Sequence, residues 1–153
     1  MRISGLRAAA LAAGLLWVCT ACVSPGGPAA VVDQSELVGA WSSPTGAHLY
    51  LGADRTMSGT SMKKGLLGGT HCPDVVAGRW IFFTAPNEHG GSFGDETLTS
   101  GDTIALDMDA EDDPCLLSAL IREDDKGVSL CLVEDPDSDC SAEELLRKEP
   151  DRA

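Results

Sequence analysis

The stretch Thr103-Ile104-Ala105-Leu106-Asp107-Met108-Asp109 decides the fold, because it alternates large apolar side chains with small or polar ones. Ile104, Leu106 and Met108 would lie on one face of an extended chain, and the residues between them on the other. A period of two is typical of a β-strand with one buried face. The stretch therefore predicts a strand that covers a core.

Other stretches repeat this pattern on both sides of the first. Leu49 and Leu51 alternate with polar neighbours, as do Trp80 with Phe82 and Leu130 with Leu132, while residues 115–122 are apolar on both faces. Turn signals rich in Gly, Pro and Asp separate these runs, and no long amphipathic helix is predicted. We predict an all-β fold, an antiparallel meander closed into a small barrel or sandwich. The expected core residues are Trp41, Trp80, Phe82, Ile104, Leu106, Leu117, Ile121, Leu130 and Leu132.

The N-terminus has the features of an export signal. Arg2 and Arg7 precede an apolar run over residues 8–18, which is shorter than the roughly 20 residues of a membrane-spanning helix. Cys19-Thr20-Ala21-Cys22 follows and resembles the lipobox of bacterial lipoproteins, although Cys19 stands where that family usually has Leu. The resemblance implies cleavage before Cys22 and a diacylglycerol on its sulfur. An ordinary secreted protein cleaved after Ala21 is the alternative.

The chain is predicted to have four parts. Residues 1–21 form the signal helix, residues 22–35 a lipidated cysteine with a flexible Pro/Gly/Ala tether, residues 36–148 the β-rich extracytoplasmic domain, and residues 149–153 a polar tail. Within the domain, residues 141–148 fit two structures. Ser141 and Glu144 have the spacing of a capping box that would open a short helix, whereas Leu145 and Leu146 could form a last strand.

The charge excludes one class of partner. Cleavage before Cys22 removes Arg2 and Arg7, which leaves 9 basic and 24 acidic residues and a net charge of −15. Such a surface repels nucleic acid. The expected location is the outer face of the cell membrane, with the covalent lipid on Cys22 as the attachment and an unknown protein or small molecule as partner.

Four further cysteines remain after cleavage, namely Cys72, Cys115, Cys131 and Cys140. In an oxidising compartment they favour two disulfides over a metal site, since no C-x-x-C and no paired histidines accompany them. All three pairings are open. The threading of the meander favours Cys72–Cys115 with Cys131–Cys140.

Three motifs suggest other chemistry, but each lacks essential parts. Gly90-Gly91-Ser92-Phe93-Gly94 matches G-x-S-x-G, yet no histidine follows it, and Ser61-Met62-Lys63-Lys64 lacks the companion motifs of penicillin-recognising enzymes. Asp135, Asp137 and Asp139 are weak Ca²⁺ candidates, because the Gly and Glu that a calcium loop needs are Cys140 and Leu146. We therefore predict no catalytic residues, no cofactor and no metal.

Leu37-Val38-Gly39-Ala40-Trp41, Leu49-Tyr50-Leu51 and Ala53-Asp54-Arg55-Thr56-Met57 together resemble the opening of small lipocalin-like lipoproteins of actinomycete type. A second G-x-W lies at Gly78-Arg79-Trp80. Arg55 and Met57 replace the Gly and Phe of that family's D-G-T-F turn. The resemblance implies a barrel and a terminal strand. We expect a non-enzymatic binding domain that uses residues 65–72 and 86–94; a carrier of a small apolar ligand is the alternative, and a hydrolase is less favoured.

Overall fold

The computed structural model describes residues 24–65, 72–108, 115–138 and 140–150. In chain order the elements are β1 (Val32–Asp33), α1 (Gln34–Leu37), β2 (Gly39–Ser42), β3 (His48–Leu51), β4 (Thr56–Thr60), α2 (Met62–Gly65), β5 (Val75–Phe83), β6 (Gly94–Asp95), β7 (Ser100–Gly101), β8 (Thr103–Met108), β9 (Cys115–Asp124), β10 (Gly127–Val133) and β11 (Leu145–Lys148). Neither described helix has the length and apolarity needed to cross a bilayer.

Within the described residues, eight antiparallel strands close into a barrel, which confirms the predicted fold class. Neighbours around it run in the order β2, β3, β4, β5, β8, β9, β10 and β11. The β4–β5 pairing and the pairing of β11 with β2 complete the ring. Because each strand pairs with the next long strand along the chain, the connections alternate between the two ends of the barrel.

The predicted core is confirmed. All nine expected residues have at most 1% of their surface exposed, and Leu49, Leu51 and Leu146 join them. In β8 the alternation works as predicted, since Ile104, Leu106 and Met108 point into the barrel while Asp107 is exposed. The interior is therefore occupied by side chains contributed by all eight strands.

One end of the barrel, here called the closed end, is covered by α1, the β3–β4 turn and part of the β5–β8 connection. Leu37 of α1 is fully buried there, and the Trp41 Nε1–H donates to its carbonyl oxygen at 2.9 Å. Arg55 has φ +69°, a left-handed conformation at the position where the resembled family has Gly. Its guanidinium lies 4.9 Å from the Trp80 ring centroid and donates to Gln34 and to the Leu98 carbonyl. These contacts stabilise Arg55 in a left-handed backbone conformation that residues other than glycine normally disfavour.

The wall made by β9, β10 and β11 is apolar on both faces. Its inner residues join the main core, and a second cluster on its outer face contains Leu120, Cys131, Val133, Cys140 and Leu145. This explains why the sequence of β9 shows no clear alternation. Leu116 near the start of the strand remains 59% exposed.

The part of the predicted tether that the structure describes is not free. The Ala30 N–H donates to Ile121 O at 3.0 Å, and the Glu123 N–H donates to Pro28 O at 3.1 Å. β8 begins at Thr103, opposite Leu120, so the part of β9 after Leu120 has backbone groups available on that side. Residues 28–30 use them, and β1 then pairs with β7. We call residues 24–33 the docked segment.

The docked segment depends on a glycine for its close approach. A Cβ on Gly27, which has φ +90°, would lie 2.0 Å from the Glu123 carbonyl oxygen. Gly46 has nearly the same φ, +91°, but nothing lies within 4 Å of its Cβ position. In both alanine variants, the left-handed backbone conformation should lower the free energy of unfolding by about 1–2 kcal/mol. We expect Gly27→Ala alone to detach the segment as well.

Amide hydrogen exchange measures this difference directly. The Glu123 amide should lose protection in Gly27→Ala and keep it in Gly46→Ala, because its acceptor, the Pro28 carbonyl, belongs to the segment. Equal protection in the two variants would contradict the docking.

The C-terminal stretch is a strand, as the resemblance implied. The Ser141 N–H donates to the Glu144 carboxylate at 3.0 Å, so one half of the capping-box spacing forms its hydrogen bond, but it closes a turn and no helix follows. β11 pairs with β10 and β2 and closes the ring.

Candidate functional site

Three of the four predicted disulfide cysteines can be located by their side chains. Cys131 and Cys140 are bonded to each other, as predicted. Cys72 is also disulfide-bonded and is buried. The side chain of Cys115 lies outside the described residues, so the Cys72–Cys115 pairing stays a prediction. The Cys131–Cys140 bond fixes the β10–β11 connection over the outer face of the barrel wall.

The lipid anchor, Cys22, and the third calcium candidate, Asp139, lie outside the described residues. Asp135 and Asp137 are exposed, and the Asp135 carboxylate accepts the Asp137 N–H at 2.9 Å, which makes an Asx turn. Among the described side chains, no group of three His, Cys, Asp or Glu residues is arranged to hold a metal ion.

The residues of the motifs that resemble catalytic sites, around Ser61 and Ser92, are not assembled into a catalytic arrangement. Ser92 lies just before the two-residue strand β6, with no helix after it, unlike a nucleophile elbow. Ser61 has φ +56° and lies immediately before α2. His48 pairs with Glu149 at 3.0 Å on the barrel wall, and His89 is exposed in a loop. His71 lies outside the described residues.

A groove of about 320 Å³ crosses the outside of β5, β8 and β9, and we call it the outer-wall groove. Its floor is formed by Phe83, Thr103 and Leu120. One wall comes from the predicted binding loop, and the other from the β10–β11 connection. The wall residues include Thr84, Pro86, Gly90, Ser92, Asp102, Pro136 and Asp137. The structure thus brings residues 86–94 next to a segment that sequence analysis had not associated with them.

Hydrogen bonds shape the loop that forms the first wall. The Thr84 N–H donates to Phe93 O at 2.7 Å, and the Phe93 N–H donates to the Thr84 side-chain hydroxyl at 3.1 Å. The Asn87 side-chain oxygen accepts the His89 and Gly91 N–H groups. The Cys131–Cys140 bond restrains the connection that forms the opposite wall. Two restrained walls over a partly apolar floor make a preformed site at the small end of the usual ligand-pocket range.

A larger depression of about 550 Å³ lies at the closed end, next to α1 and Thr99. It is more open to solvent than the outer-wall groove, and its lining is drawn largely from residues 33–38. Its position and openness make it a weaker candidate for binding a small ligand.

Basic residues gather where the docked segment meets the wall of the barrel. A Cβ on Gly26 would lie 3.2 Å from Arg122 Cβ, and Arg147 donates to Asp124 in the adjoining turn. Lys148 Nζ donates to the Glu36 carbonyl and lies 5.9 Å from the Trp41 ring centroid, while Lys126 is exposed. We call Arg122, Lys126, Arg147 and Lys148 the basic corner.

Three carboxyl groups have a pKa below the ordinary value, and each stabilises a turn. The Arg147 side chain, and then the Lys126 N–H, lower the pKa of Asp124. Hydrogen bonds from Thr56 lower the pKa of Asp54, and those from Thr97 lower the pKa of Asp95. All three favour the ionised form, unlike a general acid, and none lines the outer-wall groove.

Sequence reasoning missed both the outer-wall groove and the docking of residues 24–33. The groove depends on a tertiary contact between distant loops and leaves no local signal. The docking has a weak signal in Gly26-Gly27, since adjacent glycines permit close backbone approach as well as flexibility. No family model, curated protein or solved structure matches the chain.

Proposed function

We propose that this protein is a lipid-anchored, extracytoplasmic binding domain of the bacterial cell envelope, which holds a ligand or partner in the outer-wall groove. The anchoring part rests on the Cys19–Cys22 lipobox and on the disulfide chemistry of the domain. Disulfides such as Cys131–Cys140 persist in oxidising compartments outside the cytoplasm.

The outer-wall groove is the observation that carries the binding part of the proposal. Its floor offers the apolar side chains of Phe83 and Leu120, and its rim offers the carboxylates of Asp102 and Asp137. Such a site favours a ligand with an apolar portion and an amino group. A lipocalin-like carrier would instead hold its ligand inside the barrel, where the buried side chains of Trp41, Trp80 and their neighbours lie.

Replacing the proposed anchor tests the location. In cells, Cys22→Ser should abolish the diacylglycerol adduct and release the protein from the membrane fraction. Cys19→Ser is the matched control, because it changes a neighbouring cysteine that the lipobox does not acylate. Mass spectrometry and membrane fractionation provide the two measurements. A Cys22→Ser protein that is processed and membrane-bound like the parent would refute the anchor.

Binding can be tested by NMR titration of the mature protein with the tripeptide Lys-Phe-Ala, which combines an amino group with an apolar side chain. We expect saturable shifts at groove residues. Ser92→Trp should remove them by filling the groove, whereas Ser58→Trp, on exposed β4, should leave them unchanged. Shifts that are absent, or that survive Ser92→Trp, would argue against the groove.

A further inference from the structure

We propose that the membrane itself contacts one defined face of the barrel, namely the basic corner together with the turn between β9 and β10. This inference rests on the proposed acylation of Cys22, and it adds which side of the domain faces the lipid. The surface opposite, centred on β4, then faces away from the membrane.

The first argument is the length of chain between the lipid and the barrel. The docked segment is already turned at Ser24, whose carbonyl accepts the Gly27 N–H at 3.1 Å. Gly27 in turn lies against Glu123 and Asp124. Only Val23 lies between Cys22 and Ser24, and an extended chain covers at most about 7 Å over these two residue steps. The headgroup layer of one leaflet is roughly as thick, about 5–8 Å. A barrel attached by so short a spacer has little freedom to rotate the turn between β9 and β10 away from the membrane.

The second argument is the distribution of charge. The four cations of the basic corner are matched by four acidic neighbours, Glu36, Glu123, Asp124 and Asp125, so this region is formally neutral. The remaining residues of the mature chain therefore carry the whole net charge of −15. Anionic headgroups repel that charge over a Debye length of about 8 Å at physiological salt. The basic corner therefore adds no net repulsion from anionic headgroups when the short spacer holds it close to the membrane.

The geometry of the barrel defines a matched pair of positions for a test. Asp125 is exposed in the turn between β9 and β10, and Ser58 is exposed on β4. β4 and β10 lie on opposite sides of the ring. A cysteine introduced at either position keeps the four cations of the basic corner, and a fluorophore with one negative charge replaces the carboxylate that Asp125→Cys removes. The introduced cysteine can carry this fluorophore without reduction of the Cys131–Cys140 bond.

The experiment uses the lipidated full-length mature chain in vesicles of phosphatidylcholine and phosphatidylglycerol that contain a headgroup nitroxide quencher. We expect a label at Asp125→Cys to be quenched several-fold more strongly than one at Ser58→Cys. A Gly/Ser insertion of 12 residues after Val23 would add a coil of about 18–20 Å and should remove that difference. Acylation is checked by mass spectrometry in every variant.

The outcomes separate the two proposals. Equal quenching at the two positions, with the lipid adduct present, would overturn the orientation and leave the anchor standing. A difference that persists after the insertion would overturn the role of the short spacer. Absence of the adduct on Cys22 would overturn the anchor and the orientation together.

Discussion

Trp80→Ala is expected to lower the free energy of unfolding by about 3–5 kcal/mol, as truncation of a large buried aromatic side chain usually does. Trp80 is fully buried, and its ring packs edge to face against Phe82 with the centroids 5.7 Å apart. Its Nε1–H donates to Gly52 O at 3.1 Å. The substitution would therefore open a cavity, leave a carbonyl without its donor and remove the ring beneath the Arg55 guanidinium.

Urea denaturation followed by far-ultraviolet circular dichroism measures the loss, because this signal does not depend on tryptophan fluorescence. Phe93→Ala is the matched control, since it also truncates an aromatic side chain but at a position that is 65% exposed. It should change stability by no more than about 0.5 kcal/mol. Similar losses in the two variants would mean that Trp80 is not part of a packed core.

The double variant Cys131→Ala with Cys140→Ala should lose about 3 kcal/mol of stability. The bond joins residues 9 positions apart, and closing a loop of roughly that length restricts the unfolded chain by about this amount. Both cysteines are buried in the outer cluster with Leu120 and Val133, so losing the bond also loosens the covering of that cluster. Replacing both residues together avoids leaving a free thiol.

Denaturant unfolding under oxidising conditions measures this effect, with Ser138→Ala as a control in the same connection. Ser138 is exposed, and its replacement should change stability by at most about 0.5 kcal/mol. The double variant should also lose affinity at the outer-wall groove, because Pro136 and Asp137 form one of its walls. Unchanged stability in the double variant would contradict the stabilising contribution of the bond.

Local sequence determined the strands whose two faces differ. β8 was predicted from Ile104, Leu106 and Met108 because period-two alternation directly reflects one buried and one solvated face. The start of β5 was not apparent in the same way. That strand begins at Val75, which is 68% exposed, and it includes Gly78, whose lack of a side chain allows close approach to Asp107. Neither residue strengthens an alternating pattern.

The candidate sites depend more strongly on tertiary structure. Sequence pointed to residues 86–94 as a binding loop, but the facing Pro136 and Asp137 come from a connection more than 40 residues later. Ring closure brings these segments together on one outer wall. The residues of the basic corner are similarly divided among β9, the β9–β10 turn and β11. The docked segment that lies beside them comes from the N-terminal part of the chain.

What the sequence by itself determined is the all-β class and the nine core residues, because alternation and side-chain volume are local properties; acylation of Cys22 stays a prediction from a short motif. What only the tertiary structure decided is the docking of residues 24–33 and the outer-wall groove. The docking depends on which backbone groups of β9 remain available after the barrel closes, and the groove depends on which distant loops ring closure brings together. That availability is set by strand lengths and register, to which every segment of the ring contributes.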